Sequence, residues 1–184
     1  KTVCSGYYKK PEINANSFID GWFRTGDAGK LVDGKHLYMT DRLKDLFKTS
    51  NGKYIAPQQI ETILGGDVFI EQVAVIGNNR NFVTAIIAPN LEAIKGYAAQ
   101  NNITYELVDE LMDNPQICKM MEERIANLQK DMAPYEKIKK FRMIKRGFSI
   151  ESGELTSTLK LRRAVILQNY AAMIEEMYNP VQGP

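Results

Sequence analysis

The run "EQVAVIGNNRNFVTAIIAP", residues 71–89, constrains this chain more than any other. Two apolar stretches flank Gly77, Asn78 and Asn79, residue types that favour turns, so the run reads as two strands joined by a turn. Its most apolar part, "VTAIIAP", is far shorter than the ~20 residues a membrane-spanning helix needs. Upstream, "LVDGKHLYMT" places Asp33-Gly34 between two short apolar runs, a hairpin signal. The whole stretch from Gly6 to Asp41 reads as strand and turn, and Ser50-Asn51-Gly52 as a further tight turn.

Helical patterns surround these strands. "PQQIETIL" opens at Pro57 with Ile60, Ile63 and Leu64 on one face. "LEAIKGYAAQ" follows, then "YELVDELMD" with Thr104 as its cap. "PQICKMMEERIANLQKDM" comes next, with Asn114 as cap and Pro115 in the first turn, and Pro134 ends it. "KFRMIKR" reads as a third strand, "SIESGELTSTLK" as a loop, and a last helix runs from near Lys160 to Tyr178. Strands and helices mixed in this way, without regular βαβ alternation, predict an α+β domain. Its short antiparallel sheet is flanked by helices and follows a β-hairpin tail.

Composition narrows the function classes. Of 184 residues 44% are hydrophobic, enough for a sizeable core. Lys+Arg is 24 against Asp+Glu 22, a net charge of +2, so nothing draws the whole chain to nucleic acid or an anionic membrane. An acidic ligand must be met by locally placed cations. Cys4 and Cys118 have no paired spacing, which predicts neither a disulfide framework nor a zinc site and fits a reducing cytoplasmic compartment. The one histidine, His36, sits in the strand "HLYMT", which argues against Ser-His-Asp or Cys-His catalysis. Ile117, Met120, Met121, Ile125, Leu128 and Met132 recur at helical spacing and read as core filling. Gly65-Gly66 and Gly77 form no dinucleotide fingerprint, and no Walker loop is present. The charge run "YEKIKKFRMIKR" has two readings, a contact for phosphates or nucleic acid, or a strand with outward lysines that explains it without either. Arg162 and Arg163 are treated the same way, with solvated neighbours as the plain reading. The first residue is Lys1, which leaves two expectations open: something was removed, or this is a piece of a longer protein.

Three loops carry ionisable residues where packing does not ask for them: "RTGD" at 24–27, "DRLKDLFKTSNGKY" at 41–54 and "ESGELTSTLKLRR" at 151–163. Singly, each has a plain explanation. Asp27 serves as a turn cap, Arg42 and Lys44 as a solvated face, Lys160 as one more helix lysine. In order they form a set. With "GYYKKPEINANSFIDGWFRTGD", "DRLKDLFKTSNGKYIAPQQIE", "IEQVAVIGNNRNFVTAIIAPN" and "GELTSTLKLRR", the chain from Gly6 to Tyr178 resembles the C-terminal part of the acyl-adenylate-forming enzymes. The branch it resembles most is the AMP-forming long-chain fatty acyl-CoA synthetases.

That resemblance implies a two-step ligase: ATP and a fatty acid give an acyl-adenylate and pyrophosphate, and coenzyme A then displaces AMP. Residues 1–41 are implied to be the end of a large domain, 42–44 a hinge, 45–178 a mobile C-terminal domain and 179–184 a frayed tail. Asp27 is implied to accept both ribose hydroxyls, which suits an ionised carboxylate, and Arg42 to be the second ribose contact. Lys160 resembles the lysine that bridges the fatty acid carboxylate and the α-phosphate. Lys48 is either a supporting active-site contact or an exposed strand lysine. Lys44 is implied to be the hinge residue, and Gly52 and Lys53 to line the pantetheine passage. Mg2+ is expected to arrive with ATP, with no ligands in this chain. Partners are then fatty acid, ATP and coenzyme A, with no nucleic acid and no membrane span. The location is the cytoplasm, with peripheral contact at the inner membrane face left open. The main ATP and acyl pockets are implied to lie upstream, so this piece alone is expected to be inactive. Trp22 and Phe23 are expected to be exposed and to promote self-association. Two alternatives stand beside this reading: an acyl-AMP ligase or carrier-acylating relative, and a non-catalytic interaction module with the same fold.

Overall fold

The computed structural model describes residues 4–43 and 45–179. The chain divides after Leu46 into two compact units.

The first unit is built from local signals. Helix α1 spans Pro11–Ser17, within a stretch whose sequence reads as strand and turn. It has no buried residue and so no apolar stripe to betray it. Proline at its start and a side-chain clip hold it instead: Asn14 Oδ1 accepts from Tyr7 N at 2.6 Å and its Nδ2 donates to Tyr7 O at 3.0 Å. Strands β1 (Phe18–Ile19) and β2 (Trp22–Phe23) form a small hairpin around Asp20 and Gly21, both at positive φ. Strands β3 (Asp27–Val32) and β4 (His36–Arg42) form the hairpin that Asp33-Gly34 signals. Both turn residues are again at positive φ, and Lys35 N donates to Val32 O, the geometry a type I′ turn requires. Trp22, Phe23, Leu31, Leu37, Tyr38 and Met39 are all exposed.

The second unit holds the core. Strands β5 (Phe47–Lys48) and β6 (Tyr54–Ile55) pair across the Ser50-Asn51-Gly52 turn and lead into α2 (Pro57–Leu64). Strands β7 (Ile70–Ile76) and β8 (Val83–Pro89) are antiparallel, and β9 (Ile138–Met143) joins the other edge of β8. Every residue of β8 is buried. That explains its unbroken apolar run, since a strand covered on both faces needs no polar alternation. Val73, Val75, Ala85 and Ile87 face a cluster with α2, α3 (Leu91–Gln100) and α4 (Pro115–Leu128). Ala74, Ile76, Ile86 and Ala88 face a second cluster with Ile166 of α5 (Arg163–Asn169) and Ile174 and Met177 of α6 (Ala171–Tyr178). Each fully buried Ile or Leu contributes roughly 1.5–3 kcal/mol.

The α+β class stands, with four differences of detail besides helix α1. Strand β9 runs parallel to β8, so the sheet is mixed. The long helical connection supplies the crossover that parallel pairing needs. The helix expected over "YELVDELMD" is a 3-10 turn at Val108–Met112, with Leu107 extended and the Glu110 carboxylate accepting from Glu106 N. Helix α4 stops at Leu128, well before Pro134, because the buried Gln129 leaves the helix and caps β9. Its Oε1 accepts from Ile138 N at 2.6 Å and its Nε2 donates to Ile138 O. The last helix begins at Arg163 and breaks at Tyr170, whose φ of −110° and ψ of 21° leave the helical region.

Candidate functional site

Asp27 and Arg42 are register partners at the open end of the β3–β4 hairpin, with Arg42 Nε 3.2 Å from Asp27 Oδ1. Asp27 is mostly sheltered, Arg42 mostly exposed. Gly26 has φ +78°, a conformation that strains any residue with a Cβ, and its carbonyl accepts from Leu43 N at 2.8 Å. Thr25 Oγ1 accepts from Asp27 N at 3.1 Å. The "TGD" stretch is therefore a short irregular segment that leads into β3 and sets an acid beside a forked cation.

Lys48, Gly52 and Lys53 share the β5–β6 turn. Gly52 has φ +79°, and its N–H donates to Thr49 O. The buried Thr49 ties the turn shut, with Thr49 N donating to Lys53 O at 2.9 Å. The turn is docked on the β7–β8 connection. Ser50 N donates to Arg80 O, Asn79 N to Lys48 O, and Ser50 Oγ to Asn81 Oδ1 at 2.7 Å. Lys48 Nζ lies 5.5 Å from the centre of the Tyr54 ring and Lys53 Nζ 5.4 Å from that of Tyr135, so both ammoniums sit over aromatic faces.

Lys160 belongs to a separate loop. Leu155 bridges to Leu161, Thr156 N donates to Lys160 O at 2.8 Å, and Lys160 N donates to Thr156 Oγ1 at 3.1 Å. The Lys160 side chain is exposed and meets no hydrogen-bonding or ionic partner among the described residues. Lys44 lies outside the described residues. Asp27 and Arg42 belong to the first unit, and Lys48, Gly52, Lys53 and Lys160 to the second. No three His, Cys, Asp or Glu side chains among the described residues converge as a metal site. None of the described helices is long and apolar enough to cross a membrane.

The residue that sequence reasoning missed here is Glu154. It is wholly buried, and its carboxylate accepts from Arg146 Nη1 at 2.9 Å, Arg146 Nη2 at 3.0 Å, Ser152 Oγ at 2.6 Å and Asn169 Nδ2 at 3.0 Å. Burial pushes its pKa up, but the hydrogen bonds from Arg146, Ser152 and Asn169 outweigh burial and hold it at about 2, below the ordinary 4.5. A carboxylate depressed in the folded state stabilises the fold above its unfolded pKa and loses that contribution as pH falls through the folded one. Acid titration of the chain, followed by thermal melts, is therefore expected to show stability falling between about pH 4.5 and 2. Glu154→Gln flattens part of that slope, and an unchanged slope rejects the account. No local pattern marks Glu154, because its partners come from the β9–α5 connection and from α5 itself. Arg163, read as a solvated neighbour, is instead half-buried against Glu61.

Residues 44–182 match the family described as AMP-binding enzyme C-terminal domain. Over 178 residues the chain is 33% identical to the long-chain-fatty-acid–CoA ligase FadD15 of Mycobacterium tuberculosis, covering 96% of this chain and 30% of that one. It is 33% identical over 184 residues to long-chain-fatty-acid–CoA ligase 1 of Homo sapiens, covering 98% and 26%. The adenylation domain of a carboxylate reductase from Mycobacterium chelonae superposes with a TM-score of 0.74 at 27% identity, over 95% of this chain and 26% of that one. The corresponding domain from Segniliparus rugosus, solved with AMP and a co-purified carboxylic acid, gives 0.72 at 28% identity over 98% and 27%. The chain thus spans less than a third of the length of these relatives. It belongs to the AMP-binding enzyme C-terminal domain family.

Proposed function

We propose that this chain is the C-terminal part of an ATP-dependent long-chain fatty acid–CoA ligase, which forms an acyl-adenylate and then a thioester with coenzyme A. Residues 1–41 end its large domain, 42–44 form the hinge centred on Lys44, and 45–178 form the mobile domain. One observation carries the reading: an exposed Lys160 without a hydrogen-bonding or ionic partner among the described residues, on a loop whose backbone is closed by its own hydrogen bonds. An unneutralised ammonium on a firm support suits a site where two anions, a carboxylate and a phosphate, must approach each other. Lys160 draws them together and stabilises the charge that develops on the α-phosphate. Asp27 accepts the ribose hydroxyls, with Arg42 as the second sugar contact. Lys48 supports the active site, while Gly52 and Lys53 line the way in for the pantetheine thiol. Mg2+ arrives on ATP.

The whole protein tests this. Incubated with ATP, Mg2+ and fatty acids of graded length, it is expected to release pyrophosphate with long-chain acids and to form the acyl-CoA when coenzyme A is added. No pyrophosphate with any acid overturns the ligase reading and leaves the non-catalytic module. A specific observation favours a second reading: one similar structure, at 28% identity with a TM-score of 0.70, is the A-PCP didomain of the Segniliparus rugosus carboxylic acid reductase with AMP. Pyrophosphate release without acyl-CoA formation, with transfer to a carrier's pantetheine instead, decides for that carrier-acylating reading. The exposed apolar side chains of the first unit, Trp22 and Phe23 among them, drive self-association of the 184-residue piece when the large domain is absent.

A further inference from the structure

We infer that Glu154 is a positioning residue for Lys160, clamping the base of the lysine loop so that the ammonium is held where two anions meet. This rests on the reading of Lys160 given above. The loop is a narrow ladder of three rungs. Arg162 N donates to Glu154 O at 2.7 Å, Leu155 bridges to Leu161, and Thr156 N donates to Lys160 O at 2.8 Å. The Glu154 side chain turns inward from the first rung. It is bound there by Arg146 after β9, Ser152 in the preceding turn and Asn169 at the end of α5. One carboxylate thus joins three separate segments to the ladder that ends in Lys160.

The tip of the ladder is strained. Leu159, next to Lys160, has φ +59° and is exposed. A leucine in the left-handed region is strained and persists only where the surroundings over-determine it. Its N–H donates to Thr156 O at 2.9 Å, and Thr156 and Thr158 share a hydroxyl contact at 3.0 Å, so the strain is carried by the ladder itself. Solvent supports nothing at the tip, and the fixed point lies at Glu154. Loosening that base lets Leu159 relax to negative φ and swings the lysine away. Displacing a catalytic group by about 1 Å costs up to roughly 100-fold in rate.

The test uses the full-length protein and measures the two half-reactions separately: pyrophosphate release from ATP and fatty acid, and acyl-CoA formation from supplied acyl-adenylate. Glu154→Gln keeps the size of the side chain but loses the charge that Arg146 grips. The expected result is a roughly 10–100-fold fall in the kcat of adenylation, an unchanged KM for ATP and an unchanged thioester step. The thioester step doubles as the folding control. In a Lys160→Ala background, Glu154→Gln has no further effect on adenylation, because it acts through Lys160. Where Glu154→Gln does not fold, Ser152→Ala and Asn169→Ala each remove one of the hydrogen bonds to the Glu154 carboxylate and give the same selective loss on a smaller scale. Equal loss of both half-reactions, or no loss in any of these variants while Lys160→Ala abolishes adenylation, overturns the inference. Undiminished adenylation in Lys160→Ala alone overturns instead the reading of Lys160 on which it rests.

Discussion

Replacing Lys160 with alanine in the full-length protein is expected to lower acyl-adenylate formation by roughly 10²–10³-fold, the usual cost of losing one preorganised donor. Conversion of supplied acyl-adenylate to acyl-CoA remains largely intact. The asymmetry follows from the chemistry of the two steps proposed above. In the first, an anionic carboxylate attacks an anionic phosphate, and a cation between them lowers the repulsion most where charge accumulates. In the second, a thiol attacks an adenylate whose carboxylate charge is already gone, and that cation has little left to neutralise. The loop around Lys160 reaches solvent, with Leu159 and Lys160 both exposed. The variant therefore removes a charge without opening a cavity. Equal loss of both half-reactions, measured by pyrophosphate release and thioester formation, rejects the role.

Replacing Arg163 with methionine is expected to destabilise the chain by about 3 kcal/mol, toward the low end for breaking a buried ion pair from one side. Arg163 Nη1 donates to Glu61 Oε1 at 2.6 Å and to Val75 O at 2.7 Å, and Nη2 donates to Glu61 Oε2 at 3.1 Å. Glu61 Oε1 in turn accepts from Val75 N at 2.8 Å. The pair stands where a further strand would hydrogen-bond to the open edge of β7, and it joins α2 to the start of α5. Methionine keeps the length but leaves the Glu61 carboxylate without a cation and the Val75 carbonyl without a donor. The thermal midpoint of the 184-residue chain is expected to fall by roughly 6–12 °C. Adding Glu61→Gln restores part of the loss, because the stranded charge is removed. A single variant within about 0.5 kcal/mol of the parent means the pair is an exposed contact of little worth.

Legibility in the sequence tracked the range of the interactions. Pro57 at the start of α2, Asn114 and Pro115 at the start of α4 and the Asp33-Gly34 hairpin stand where the sequence places them. Asn114 Oδ1 accepts from Gln116 N and Ile117 N within its own turn, so the signal and its partner sit a few residues apart. Helix α1 leaves no periodic signal because it has no apolar face, and α4 ends short of Pro134 because Gln129 is pulled out of it by a strand nine residues on. Of the three ionisable stretches, 151–163 is mostly loop, whereas 24–27 runs into β3 and 41–54 holds the end of β4, β5 and the start of β6. The roles proposed for them come only from resemblance, since neither the Asp27–Arg42 pairing nor the support beneath Lys160 leaves a local pattern.

By itself the sequence determined the turns, the caps, the apolar strands and the α+β class, because each rests on steric preferences and hydrogen bonds spanning a few residues. The tertiary structure alone decided that β9 lies parallel to β8, that Arg163 closes the edge of β7, and that a buried Glu154 underpins the lysine loop. Those outcomes depend on groups brought from far along the chain to satisfy buried charges and backbone polar atoms, and no window of neighbouring residues encodes them.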